Sequence, residues 1–269
     1  MRSIRKFIML TLTATAVLGC GEDPDKPPVN NQNIPPRPSE GREIGETVSI
    51  LGEDFSSWAL ISATGRVMEV GLSMPLTATT TLAEAKNVSF ALSRRAVDMT
   101  FFDHIQLDYS TKGHNPGPYL VPHFDIHFYG VTTEEQNAAN CDNQPMPDTD
   151  HLPTPYFIPS TEIDPAGTCV PQMGVHAINP MSPELDPVSP TPFEKHLILG
   201  YDGGNLTFVE PMVAQSFFRD DKEAIGDIPR PEKLGRSTLW PGKWKIVKTE
   251  NFEGKMFYEV VLYDFTSIE

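Results

Sequence analysis

The stretch Pro122-His123-Phe124-Asp125-Ile126-His127-Phe128-Tyr129 sets two imidazoles and a carboxylate in one row. Apolar and polar residues alternate through it with the period of a β-strand. Phe124, Ile126 and Phe128 therefore share one face, and His123, Asp125, His127 and Tyr129 the other. Pro122 suits the first position of such a strand, where a missing N–H costs least. Imidazole and carboxylate are the donors that divalent transition metals take, and a merely solvated face has no need of them at successive positions. The row reads as part of a metal site; the competing reading is a polar face that hydrogen-bonds to neighbouring strands.

Strand geometry limits what this row can do alone. Alternate residues lie ~7 Å apart, so His123 and His127 are ~13 Å apart at Cα. Both could reach one ion only by leaning over Asp125, so one of the three is expected to orient a ligand instead of binding. Other donors must come from elsewhere. In Met173-Gly174-Val175-His176-Ala177-Ile178-Asn179, His176 faces away from the small residues beside it. Glu210 closes an apolar strand-like run and is pinned by Pro211, as either a solvated loop residue or a preorganised ligand or base. His114 sits among Gly and Pro and reads as a turn cap, His196 as a structural histidine, and His151 as surface.

The elements that would position these groups are strands. Short runs with strand character cover Val48 to Leu51, Trp58 to Ser62, Val67 to Leu72, Val88 to Leu92 and His104 to Tyr109. Phe193 to Tyr201 and Asn205 to Val209 form a hairpin across Asp202-Gly203-Gly204, and Lys243 to Thr249 and Lys255 to Phe265 form another around Asn251 to Gly254. Thr80 to Ala85 and Val213 to Phe218 are the two places for a short helix. From Val131 to Pro171 periodicity is lost in a long Pro-rich loop, and a second Pro-rich stretch runs from Pro180 to Pro192. The fold class is all-β, a barrel or a sandwich with long loops. No solenoid repeat, Rossmann fingerprint or phosphate loop occurs.

The first residues have the pattern of a targeting segment. Arg2, Arg5 and Lys6 precede an apolar run from Phe7 to Leu18 that is short for a membrane span, and Val17-Leu18-Gly19-Cys20 ends it. That ending resembles the bacterial lipobox, in which the cysteine is acylated, making 1–19 a signal peptide and Cys20 the lipidation site. Gly21 follows in place of an aspartate, which favours the outer membrane. Residues 20–46, rich in Pro, Asn and Asp, read as a flexible tether, with one folded domain over 47–269. The formal charge of -15 becomes -18 once Arg2, Arg5 and Lys6 are removed, which argues against nucleic acid as a partner. Cys141 and Cys169 remain, and an even pair in an oxidising compartment is expected to form a disulfide; neither has zinc-motif spacing.

Together, Asp103-His104, Gly113-His114-Asn115-Pro116-Gly117, the row from Pro122 to Tyr129, Met173-Gly174-Val175-His176, Tyr201-Asp202-Gly203-Gly204 and Phe208-Val209-Glu210-Pro211-Met212 resemble a bacterial family of exported proteins of unknown function. Trp240-Pro241 and Trp244 fit it as well. The resemblance implies an exported all-β domain and no established reaction.

The functional expectation is one ion, Zn, Mn, Fe, Ni or Cu, held at a single point inside the barrel by His123, Asp125, His127, His176 and Glu210. Three imidazoles with a carboxylate is also the donor set of cupin-type barrels, although a glutamate coming last in the chain departs from their motif order. With an open coordination position the ion could activate water or a small molecule, with Glu210 as the candidate catalytic group. The alternative is a non-catalytic binding or structural envelope lipoprotein. A serine hydrolase lacks its nucleophile elbow here.

Overall fold

The computed structural model describes residues 41–142, 144–156, 158 and 168–269. The leader, Cys20 and the tether as far as residue 40 lie outside the described residues. In chain order, β1 (Gly41–Ile50), β2 (Glu53–Ile61) and β3 (Val67–Pro75) are followed by α1 (Leu76–Thr81), β4 (Lys86–Ala91) and α2 (Arg94–Met99). Next come β5 (His104–Ser110), β6 (His123–Tyr129), α3 (Thr133–Ala138), β7 (Cys169–Val170) and β8 (Gly174–Ala177). The chain closes with β9 (Lys195–Asp202), β10 (Asn205–Ala214), α4 (Gln215–Arg219), β11 (Ala224–Asp227), β12 (Thr238–Glu250) and β13 (Met256–Ile268).

These strands make two antiparallel sheets. One has the order β1-β2-β3-β13-β12-β11, the other β4-β5-β6-β10-β9-β8-β7. The architecture is the expected all-β one, as a sandwich. Alternation decides which side of each sheet faces inward. Leu107, Phe124, Ile126 and Val209 from the seven-stranded sheet join Leu72 and Val260 from the other in one buried core. Removing each such side chain from water contributes about 1.5–3 kcal/mol. The polar row of β6 must then point the other way, to the outer face of its sheet. The expectation of a site inside a barrel is thus corrected: the interior is filled with apolar side chains.

Three further readings change. β1 starts at Gly41, so the tether ends ahead of the expected Glu46. Its residues alternate between intermediate and exposed, so hydrophobicity does not mark it; Arg42 does the anchoring. That guanidinium donates to both carboxylate oxygens of Glu259 at 2.6 and 3.0 Å and stacks on Trp58 at 3.7 Å. Four short helices are described in place of one or two. α2 is capped by Ser93, which accepts from the Ala96 N–H, and α3 by a capping box between Thr132 and Glu135. Finally, the stretch from Val131 to Pro171 is not wholly irregular, since it contains α3 and β7. Cys141 and Cys169 are joined by the expected disulfide, with 5.7 Å between their Cα atoms.

Candidate metal centre

β6 is a central strand, with β5 on one side and β10 on the other. β5 sets Gln106 opposite His127 and Asp108 opposite Asp125. On the other side the pairs Val209 with Phe128 and Met212 with Asp125 fix the register, which puts Glu210 across from His127. Glu210 is therefore in the middle of a strand running to Ala214, not at the end of one as its sequence suggests. Pro211 is accommodated because it lacks an N–H and the ladder to β6 skips it. Two strands further on, His176 of β8 pairs with Gly200 of β9. A side chain at Gly200 would collide with the Phe208 ring, so its absence lets that ring pack edge-to-face with His127 and His176, with centroids 4.9 and 5.3 Å away.

The expected ligands divide between two neighbouring groups. His127, His176 and Glu210 form one, with one donor atom from each mutually within 4.8 Å. His123 and Asp125 belong to a second, whose third member is His114, again within 4.8 Å. A single point of convergence for all five expected residues is thereby corrected. The reason is the strand rise: His123 and His127 stay apart, and each draws its partners from the nearest neighbouring element. In the first group His127 Nε2 lies 3.5 Å, and His176 Nε2 4.0 Å, from Glu210 Oε2. In the second, His123 Nε2 lies 3.2 Å from Asp125 Oδ1 and His114 Nε2 3.6 Å from Asp125 Oδ2.

The far nitrogen of each ring is what gives these contacts their meaning. His123 Nδ1 lies 2.8 Å from the Val121 carbonyl, His176 Nδ1 3.1 Å from that of Thr168, and His114 Nδ1 2.9 Å from that of Asn115. A carbonyl only accepts, so each Nδ1 carries the hydrogen, and a neutral ring turns a bare Nε2 toward the carboxylate. His127 Nδ1 lies 3.4 Å from Asp108 Oδ2. Asp108 is itself fixed by Asn87 and by Gln106, whose Nε2 donates at 2.8 Å. Gln106 accepts in turn from Gln136 at 2.6 Å. Carbonyl or carboxylate partners behind an imidazole are how proteins orient metal-binding histidines.

Burial makes the arrangement costly without a cation. His123 Nε2, Asp125 Oδ1, His127 Nδ1 and Glu210 Oε2 are all buried without a hydrogen-bond partner, and each such atom costs about 1–3 kcal/mol. Tyr119, Phe193, Phe208, Met212 and Tyr129 pack around them and exclude water. Burial raises the Glu210 carboxyl above the usual range, although His127 pulls the other way. It also works against a charged His127, but Glu210 and Asp108 prevail and raise that ring to about 9. Desolvation and the neighbouring His127 push His176, which is partly buried, down to about 4, leaving it neutral, its metal-binding form. Burial likewise opposes charge on Asp125, yet His114 and His123 outweigh it and hold the carboxyl below its usual range. Asp125 in turn raises His114 to about 9.

His114, Asp108 and the Thr168 carbonyl are the parts that the sequence did not disclose. Alternation of His104, Gln106 and Asp108 along β5 is the one signal for Asp108. His114 is placed by its loop: Gly113 has φ +71° and no room for a Cβ beside the Tyr119 carbonyl, and the His114 N–H donates to that carbonyl at 3.3 Å. His196 is structural, as expected. The Asn179 N–H donates to its Nε2, and its Nδ1 meets buried Glu184 and Tyr119. His151 is half-buried beside Asp148 and Asp150, and Asp150 is paired with Lys233 at 2.7 Å.

Fold and site together define a β-sandwich bearing a histidine and carboxylate cluster on the outer face of one sheet. No family model, curated protein or solved structure matches the chain. The site must therefore be read from its own geometry.

Proposed function

We propose that this chain is an exported lipoprotein, held to the outer membrane through acylated Cys20, that binds a divalent transition metal with His127, His176 and Glu210. The observation that carries the metal is a pair of imidazoles, His176 with its outer nitrogen held by the Thr168 carbonyl and His127 with its outer nitrogen 3.4 Å from Asp108, whose inner nitrogens both face a buried, unpartnered oxygen of Glu210. Two imidazoles and one carboxylate suit Zn, Mn, Fe, Ni or Cu, and three protein donors are the mark of a site with a coordination position left for water or substrate. Such an ion supplies Lewis acidity and a water of lowered pKa. The protein's own contribution is to fix the rings and exclude bulk water. The anchoring rests on the basic start, apolar run and Cys20 of the sequence, and the acidic charge accords with a chain that binds no nucleic acid. A non-catalytic metal-binding envelope protein is the second reading, favoured by the near-complete burial of His127 and Glu210.

Elemental analysis of the full chain in detergent tests the metal: at least one ion per chain is expected, lost from this position in His127→Ala, His176→Ala and Glu210→Gln. No bound ion refutes the site. In the cobalt form, an absorption change on adding azide supports an open position, and its absence supports the second reading. Fractionation of cells carrying Cys20→Ser tests the anchor; a variant that stays with the membranes refutes it.

A further inference from the structure

We propose that His114, His123 and Asp125 hold a second metal ion beside the first, so that the outer face of the sheet carries a two-ion centre open to solvent at His114. The proposal rests on the metal reading of the neighbouring group, but its residues and contacts are separate. Asp125 lies between two imidazoles, with His123 Nε2 at 3.2 Å from one oxygen and His114 Nε2 at 3.6 Å from the other. Both rings spend their Nδ1 hydrogens on backbone carbonyls, of Val121 and Asn115. With both rings neutral, lone pairs face lone pairs across both gaps; a proton on one ring closes that ring's gap by donating to Asp125, whereas a metal ion accepts all three donors together. His123 Nε2 and Asp125 Oδ1 are also buried with no hydrogen-bond partner, and the His123 side chain is wholly buried.

The two groups lie side by side because Asp125 and His127 are alternate residues of one strand, ~7 Å apart at Cα. Each group has its own carboxylate, so neither must give up a donor to the other. Only His114 among the six donors is substantially exposed, its side chain 48 % accessible. Solvent and solutes therefore meet the second position first.

The test is a zinc titration of the metal-free full chain, read by elemental analysis after desalting, with cobalt absorption as a second readout. Two ions per chain are expected. His114→Ala, a loop substitution on an exposed ring, is expected to leave one, with the cobalt bands of the His127 group retained. Glu210→Gln is expected to leave one as well, with the other set of bands. Manganese bound to the native chain should show a resonance broadened by dipolar coupling between two nearby ions, which His114→Ala narrows to that of an isolated ion. One ion in the native chain overturns the second site and leaves the first reading standing. Two ions retained in His114→Ala also overturn it, and no ion at all overturns both.

Discussion

Removing the disulfide should weaken both the fold and the metal centre, because one short strand serves the two. Cys141 and Cys169 are 28 residues apart in sequence. The chain-entropy relation for a loop of that length gives about 3.6 kcal/mol of stabilisation through the unfolded chain. A domain of this size shifts its melting midpoint by about 2–4 °C per kcal/mol, so the double variant Cys141→Ser, Cys169→Ser should melt about 7–14 °C lower. The link to the site runs through the next residue. The Thr168 carbonyl accepts from the His176 backbone N–H at 2.7 Å and from its ring Nδ1 at 3.1 Å, and Cys169 pairs with Val175. Freed from its clamp, β7 holds that carbonyl less firmly and the His176 ring loses its orientation, for which a loss of about 10-fold in zinc affinity is the expected scale. Urea unfolding and competitive zinc titration of native and double-variant chains measure the two effects. A variant within about 1 kcal/mol of native stability refutes the loop-closure account. One that unfolds more easily yet binds zinc unchanged refutes the coupling.

Asp108→Asn should lower zinc affinity by about 10–100-fold with little loss of stability, since Asp108 acts by orienting His127; isothermal titration beside a urea melt separates the two. Gly200→Ala drives a methyl group into the Phe208 ring that lies against His127 and His176. A destabilisation of about 1–3 kcal/mol and weaker metal binding are expected, and calorimetry showing neither would contradict the packing described. Zinc at 100 times its dissociation constant should stabilise the native chain by about 2.7 kcal/mol, and a chelator should remove the gain. Glu184 supplies the pH test. Burial alone would raise its carboxyl, but the His196 hydrogen bond prevails and lowers it. Its stabilisation is thus present above the unfolded-state pKa and is lost as pH falls through the lower folded-state value. Glu184→Gln should flatten the acid limb of the melting profile, and an unchanged limb would assign acid unfolding to other carboxylates.

The strands that carry the site are legible because their alternation is a local property. Phe124, Ile126 and Phe128 against His123, Asp125 and His127 give β6 its two faces from eight letters, and Asp202-Gly203-Gly204 marks the β9–β10 turn as plainly. What alternation cannot give is register between strands. Glu210 meets His127, and not Asp125, because of where β10 pairs with β6, and that pairing is set by contacts distant in sequence. His114 was hidden for a related reason: a backbone turn at Gly113 carries it over the start of β6, and nothing in its immediate neighbours announces the destination. Only the end of β1, from Val48, carries strand character in the sequence, because its first half is anchored by an ion pair between Arg42 and Glu259, 217 residues apart, which no local pattern encodes. Fold class rests on pattern, whereas the membership of a site rests on pairing.

Five of the six donor side chains are borne by paired strands and one, His114, by a loop. Strand-borne rings shift only when the ladder itself breathes, whereas a loop-borne ring can swing aside on its own. On the proposed two-ion reading, a cation held by the first kind of seat would be released slowly and one beneath the second would trade quickly with the surroundings, so the same molecule would keep one guest while passing on another.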